Sequence, residues 1–289
     1  MTLKEIKQQL RKSLSVYYDL REATSITDIV LESITGLSRV DRLLHDNAPL
    51  SIEQIVKLKD YQEKLLNRTP VQYVLGKAHF AGMDLFVDSH VLIPRPETEE
   101  LVEWVVQSEK ERPHHSTVQD VLDIGTGSGC IALALMRKLP FLRVTGADIS
   151  LNALEVARKN AGKLGLKADF IHLDVLDEAD WAAVSNQDII VSNPPYIHLK
   201  EKSEMVSHVL DFEPHQALFV NDPDVLIFYR KIADLAVKKL RDGGMLFFEI
   251  NPFYVGQLVE MLKIKQFASV EIKRDLQGKE RMVKCLFKK

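Results

Sequence analysis

The chain has 289 residues, 46% of them hydrophobic and 27% charged, which points to a soluble globular protein with room for two domains. A net charge of −3 and a pI near 6.3 argue against a broadly basic nucleic-acid binder, and no apolar run approaches membrane-spanning length. Two cysteines, Cys130 and Cys285, sit far apart without metal-ligand spacing, and the N-terminus lacks a signal-peptide core, so reduced thiols and a cytoplasmic location are expected.

Residues 1–68 read as helices alone. Leu3, Ile6, Leu10 and Leu14 recur at helical spacing, as do Ile26, Ile29, Val30 and Ile34. Ser51 and Gln54 form a capping box ahead of a face made by Ile55, Leu58, Leu65 and Leu66. This small helical domain is either a stabilising cap or a grip for a macromolecular substrate, and periodicity does not choose between them. Asn67-Arg68-Thr69-Pro70 marks the boundary, and residues 69–96 form a linker with a β-hairpin turning at Ala81-Gly82. Pro96 suits the first position of a helix, with Glu97, Glu99 and Glu100 in its first turn and Leu101, Val102 and Val105 on its buried face. Arg95 is a cation at that junction, a candidate neighbour for a carboxylate-bearing ligand.

Residues 97–289 alternate strand and helix. Strands are expected at 118–124, 142–147, 168–173, 189–191 and 245–250, with helices at 128–139, 152–164, 225–240 and 254–264 between and after them. Such alternation predicts an α/β fold with a mostly parallel sheet covered on both faces. The closing pair 268–273 and 282–287, joined through Gly278, predicts an antiparallel edge.

Two loops carry the chemistry. Gly125-Thr126-Gly127-Ser128-Gly129 falls where the first strand of the sheet gives way to a helix, and glycines there let backbone approach a ligand closely. The loop lacks the Lys-Ser/Thr of a P-loop and the Gly-x-Gly-x-x-Gly spacing of the dinucleotide fingerprint. Asp148 and Asp174 end the next two strands, where carboxylates would meet ribose hydroxyls and an adenine edge. Carboxylates without a basic phosphate clamp suit a nucleoside with a positive centre, and S-adenosylmethionine fits better than NAD. The loop and spaced acids resemble the class I S-adenosylmethionine-dependent methyltransferases, which implies a Rossmann-like fold.

The second loop, Asn193-Pro194-Pro195-Tyr196, follows the apolar run Ile189-Ile190-Val191. The prolines stiffen it and donate no N–H, so Asn193 Oδ1 and the Pro194 carbonyl can each accept one N–H of a planar NH2 group while Tyr196 stacks on its flat face. This motif resembles the amino-methyltransferases. The pattern of Pro70 to Gly76, Phe80, Phe86-Val87-Asp88, Leu92-Ile93-Pro94-Arg95-Pro96-Glu97-Thr98-Glu99, Glu213-Pro214, Tyr229-Arg230 and Arg274-Asp275 is similar to the release-factor glutamine N5-methyltransferase family over nearly the whole chain.

That resemblance implies a glutamine substrate in the Gly-Gly-Gln motif of class I peptide chain release factors, docked by the N-terminal helices. It implies Asn193, Pro194 and Tyr196 at the reacting amide, with Pro195, Phe80 and Arg95 lining the substrate site. Gly125, Thr126, Gly127, Ser128, Gly129, Asp148, Asp174 and Asn193 would hold S-adenosylmethionine, and Trp181 would lie beside the adenine. Two stretches depart from the family pattern: Asn251-Pro252 follows Glu249-Ile250 where a glycine is usual, and Asp222 to Leu226 replaces the usual Asp-Gly-Leu.

Other features read blandly. His114, His115, His198, His208 and His215 lack ligand spacing for a metal. Ser128 has no histidine partner and otherwise starts a helix, Cys130 is read as core, and residues 197–220 form a long connection that is either a flap or a loop. The competing readings are a DNA or RNA amino-methyltransferase, which should carry a basic face, and a non-catalytic adaptor, which has no need of Asn193 and Tyr196 beside an intact glycine loop.

Overall fold

The computed structural model describes residues 1–112, 119–198, 200, 207–220, 224–265 and 267–289. The expected strand start at Val118, His114 and His115, parts of the 197–220 connection and Asp222-Pro223 lie outside them. The chain divides into two units, one of Met1–Lys77 with Val206–Phe212 and the other of Ala78–Met205 with Glu213–Lys289.

The first unit begins with α1 (Leu3–Leu14), α2 (Leu20–Thr35), α3 (Arg39–Leu44), α4 (Ile52–Leu66) and α5 (Val71–Leu75). Capping boxes start α1, α3 and α4, the last through Ser51 and Gln54, and Gly36 at φ +69° ends α2. Leu3, Ile6, Leu10 and Leu14 of α1 meet Ile26, Val30 and Ile34 of α2 and Leu58 and Leu65 of α4 in one core. Ile29 departs from its expected place and is exposed, because the α2 stripe turns past it towards Leu31. Residues 71–75, read in sequence as linker, form α5 and bury Val74 in the same core.

The second unit opens with the hairpin β1 (Ala78–Phe80) and β2 (Met83–Leu85), followed by α6 (Pro96–Lys110), β3 (Gln119–Ile124), α7 (Cys130–Lys138), β4 (Leu142–Asp148), α8 (Leu151–Leu164), β5 (Asp169–His172) and β6 (Gln187–Ser192). Next come β7 (Ile197–His198), α9 (Ser207–Phe212), which groups with the first unit, α10 (His215–Leu218), β8 (Phe219–Val220), α11 (Ile227–Lys239), β9 (Leu240–Glu249), α12 (Val255–Ile264), β10 (Phe267–Arg274) and β11 (Glu280–Phe287). The main sheet has the order β10-β11-β9-β6-β3-β4-β5; β9, β6, β3, β4 and β5 run parallel, and β11 runs antiparallel to both of its neighbours, β9 and β10.

Both faces of this sheet are covered, which explains the unbroken apolar runs of its strands. Leu122, Ile190, Leu246 and Phe248 point into one core with Ile232 of α11 and Leu258 of α12. Their neighbours Val121, Ile189, Val191, Met245 and Phe247 point into the other, against Leu101 and Val105 of α6 and Ile131 and Leu135 of α7. The strand order reverses at β3, flanked by β6 on one side and β4 on the other, and a crevice opens at the carboxyl ends of strands at such a point.

Asn160 of α8 ties the hairpin side to the rim of that crevice. Its side chain is fully buried, donates from Nδ2 to Phe86 O and Ser128 O at 2.9 Å each, and accepts from Phe86 N at 2.6 Å. Asn160→Ala leaves three backbone groups without this partner, two on half-buried Phe86 and one on buried Ser128, so denaturant unfolding is expected to show a loss of about 2–4 kcal/mol; a loss within experimental error would contradict the role given to it.

Candidate active site

A cavity of about 710 Å³ lies in the second unit, lined by Gly125 to Ser128, the ends of β4, β5 and β6, and residues drawn from 90–98, 214–220 and 227–232. The chain leaves β3 into a tight turn in which Gly125 N and Thr126 N both donate to Ala147 O, at 2.8 and 3.0 Å. Gly125, Gly127 and Gly129 then adopt φ values of +72°, +53° and +80°, a left-handed path that side-chain-bearing residues rarely take. A Cβ on Gly129 would come within 3.2 Å of Leu133 and 3.3 Å of Ala157, so α7 and α8 pack against bare backbone there. Ser128 borders the cavity and is 2% exposed, with its Oγ buried.

Asp148 and Asp174 both reach this cavity. Asp148 accepts Gly127 N through Oδ2 and Ser150 N through Oδ1, each at 2.9 Å, which fixes the carboxylate and leaves lone pairs for a ligand. Burial pushes its pKa above the usual carboxylate range, opposed by those backbone N–H groups. Asp174 accepts Leu176 N at 2.9 Å. Behind the loop, Asp123 is fully buried; its Oδ2 accepts from Thr126 Oγ1 at 2.6 Å and Ala132 N at 3.2 Å, while Oδ1 has no partner among the described residues. Burial raises its pKa to about 7.

Asn193, Pro194 and Pro195 line the same cavity, at the end of β6. Ser192 Oγ donates to Ile124 O at 2.7 Å and joins the two loops at their bases. Asn193 Nδ2 donates to Thr98 Oγ1 at 3.3 Å, and Thr98 Oγ1 donates to Glu249 Oε2 at 2.6 Å. Tyr196 O–H donates to the other oxygen, Glu249 Oε1, at 3.2 Å. Burial holds the Glu249 carboxyl above its ordinary range, opposed by these two hydroxyls and by the Arg281 guanidinium. Asn251 Nδ2 donates to Tyr196 O at 3.1 Å and Asn251 Oδ1 caps the following turn, so the departure from the family pattern at this position supports the motif loop.

Several expected site residues stand elsewhere. Phe80 is fully buried in the core beneath α6 and α7 and does not line the cavity, because the hairpin turns it inward. Trp181 is 3% exposed in the core on the other side of the sheet, its indole N–H donating to Val175 O at 3.0 Å, so the ring is committed to packing and does not border the cavity. Tyr196 is not a lining residue either: its hydroxyl is drawn to Glu249 and its ring packs against that same core. Arg95 does line the cavity, but its charge is answered by Glu213 at 2.5 Å, a buried carboxylate that also accepts Ile93 N at 3.3 Å. Cys130, read as core, borders the cavity, and burial pushes its thiol up to about 12.

Sequence reasoning missed Thr98, Glu213 and Glu249 as partners in this site. Each lies within a quoted motif, yet nothing in those motifs says that Thr98 meets a carboxylate 151 residues away. Among the described residues, no three His, Cys, Asp or Glu side chains gather as a metal site, and no helix is long and apolar enough to cross a membrane.

A mostly parallel sheet with a glycine loop after its first strand, acids ending the next two and Asn-Pro-Pro-Tyr after the fourth defines a class I methyltransferase. A family model described as methyltransferase small domain matches residues 107–221, and one described as PrmC N-terminal domain matches residues 2–76. Among solved structures, the hMettl16 catalytic domain is similar at TM-score 0.54 and 15% identity over 82% of each chain. A human methyltransferase 10 domain containing protein is similar at TM-score 0.51 and 18% identity, over 72% of this chain and 89% of that one. Both share the fold. The release factor glutamine methyltransferase of Flavobacterium psychrophilum is 41% identical over the whole of both chains. Those of Bacteroides thetaiotaomicron and Streptococcus pneumoniae are 40% identical over 97% of this chain and 99% of theirs, and 42% identical over 91% of each. The chain belongs to the release factor glutamine methyltransferase family.

The buried Asp123 makes a testable contribution to stability. Its folded-state pKa of about 7 lies above its ordinary 3.8, so the stabilisation is fully present below the lower value and is lost as pH rises through the higher. Denaturant titrations of ligand-free protein at several pH values between about 4 and 8 should show wild type losing ground to Asp123→Asn as pH rises. A stability difference independent of pH would contradict the raised value.

Proposed function

We propose that this chain transfers a methyl group from S-adenosylmethionine to the side-chain amide nitrogen, N5, of the glutamine in the Gly-Gly-Gln motif of class I peptide chain release factors. The observation that carries the reading is Asn193 at the end of β6, with Nδ2 engaged by Thr98 and Oδ1 taking no hydrogen bond among the described residues, beside Pro194 on the cavity wall. Together they offer two acceptors for the two N–H bonds of one NH2 group.

The residues present fit the cofactor. The Asp148 carboxylate suits ribose hydroxyls, Asp174 suits an adenine edge, and the left-handed glycine path suits the amino-acid end. When bound, S-adenosylmethionine supplies an electrophilic methyl on a sulfonium sulfur. An amide nitrogen is a weak nucleophile because its lone pair is delocalised into the carbonyl. Asn193 Oδ1 and Pro194 O, by accepting both N–H bonds, favour pyramidal nitrogen, aim its lone pair and stabilise the positive charge that develops there. The alkylated amide sheds its proton readily, so no side chain is assigned as a strong base. In the first unit, the exposed Val40, Leu43 and Leu44 of α3 are apolar surface suited to docking a protein substrate.

Labelled S-adenosylmethionine with intact release factor, followed by mass mapping, should place the methyl on the Gly-Gly-Gln glutamine. Asn193→Ala should lower turnover by about 2–4 kcal/mol of transition-state stabilisation. Label on duplex DNA in place of the release factor, or near-normal turnover by Asn193→Ala, would overturn the reading.

A further inference from the structure

We propose that Thr98 and Glu249 are positioning residues that set which way the Asn193 amide faces, and so decide that a substrate NH2 meets an oxygen. The inference rests on the functional reading above and names residues that direct its central contact. Its basis is one run of polar groups: Asn193 Nδ2 to Thr98 Oγ1 at 3.3 Å, Thr98 Oγ1 to Glu249 Oε2 at 2.6 Å, and Tyr196 O–H to Glu249 Oε1 at 3.2 Å. Thr98 is 2% exposed and Glu249 1%, so little water reaches them to replace a missing donor.

Counting hydrogens gives this run a direction. Both hydrogen bonds at Glu249 run from a hydroxyl to a carboxyl oxygen, so Thr98 and Tyr196 each commit their single hydroxyl hydrogen to it. Thr98 Oγ1 then has only lone pairs left for its second neighbour, Asn193. Asn193 must present an N–H there, which turns Oδ1 the other way. A half-turn about the last side-chain bond of Asn193 would set two oxygens together with no hydrogen between them. It would also point an NH2 group at the substrate's own NH2. The two ends of a carboxamide are nearly the same size, so shape alone leaves this choice open, and the relay supplies it.

The local structure supports the assignment. Pro96 fixes the start of α6, and Thr98 N donates to Arg95 O at 3.1 Å, so Thr98 sits in a rigid first turn. Glu249 is the last residue of β9, and Tyr229 O–H donates to its main-chain oxygen at 3.2 Å. Both ends of the relay are thus built on regular elements, where a positioning group is held most accurately.

Steady-state kinetics with full-length release factor, S-adenosylmethionine affinity and thermal midpoints would test this on Thr98→Val, Thr98→Ser, Glu249→Gln and the Thr98→Val/Glu249→Gln pair. Valine keeps the methyl and the shape but loses the hydroxyl; serine keeps the hydroxyl and loses the methyl. The expected result is a kcat lowered roughly ten- to a hundredfold in Thr98→Val, with cofactor affinity and folding kept, and a kcat restored to within about threefold in Thr98→Ser. Glu249→Gln should lower kcat alone yet add less than about twofold on top of Thr98→Val, because it acts through Thr98. The reverse order, with valine active and serine impaired, or equal losses in both, makes Thr98 a packing residue and overturns the inference. A full independent loss from Glu249→Gln in the Thr98→Val background, or none in either background, removes Glu249 from the relay. A wild type that leaves the glutamine unmethylated overturns the functional reading and this inference with it.

Discussion

A buried carboxylate must be met by donors, and around Glu249 that requirement organises one corner of the cavity's surroundings. Two hydroxyls, from the first turn of α6 and from the Asn-Pro-Pro-Tyr loop, reach the same side chain at the end of β9. Leaving either oxygen unpartnered in a dry site would carry a penalty of about 1–3 kcal/mol or more. Satisfying both draws helix, loop and strand end into one geometry. The orientation of Asn193 follows from that arrangement, and so does the turning of Tyr196 away from the cavity.

The larger architecture brings these groups within reach of one another. Parallel strands covered on both faces end at the same edge, and the reversal of order at β3 parts the flanking connections there. The glycine loop leaves β3 and the Asn-Pro-Pro-Tyr loop leaves its neighbour β6, so two motifs some 70 residues apart in sequence become adjacent, joined by Ser192 Oγ on Ile124 O. Asp148 ends β4 on the other side of the loop and holds it through Gly127 N. Asp148, Asn193 and Pro194 thus line one cavity.

Most of the fold was legible in the sequence because burial on one or both faces leaves a periodic mark. The sheet strands showed as short apolar runs, the α1 stripe as a 3-4 spacing, and the α4 start as a capping box that is present. The wall of the cavity was legible where its residues are contiguous: Gly125 to Ser128 and Asn193-Pro194-Pro195 line it, while Gly129 packs against Leu133 and Ala157. Whether an aromatic residue faces the cavity or a core was not legible. Phe80, Trp181 and Tyr196 have the chemistry to stack on a ligand and equally the bulk to fill a core, and only the packing around each decides between them. Contacts between distant segments left no local signal either. The Thr98–Glu249 hydrogen bond spans 151 residues and the Arg95–Glu213 pair 118, so a cation read as available to a ligand is instead balanced from within.

The central claim is that Asn193 Oδ1 and Pro194 O together receive the substrate's NH2 group. A crystal structure of the chain with S-adenosylhomocysteine and a release factor carrying the Gly-Gly-Gln loop tests it directly. The account predicts the glutamine nitrogen within about 3.2 Å of both oxygens, with Asn193 Nδ2 still on Thr98. A glutamine bound through its carbonyl oxygen to Asn193 Nδ2, or an NH2 group held by other residues, would contradict it.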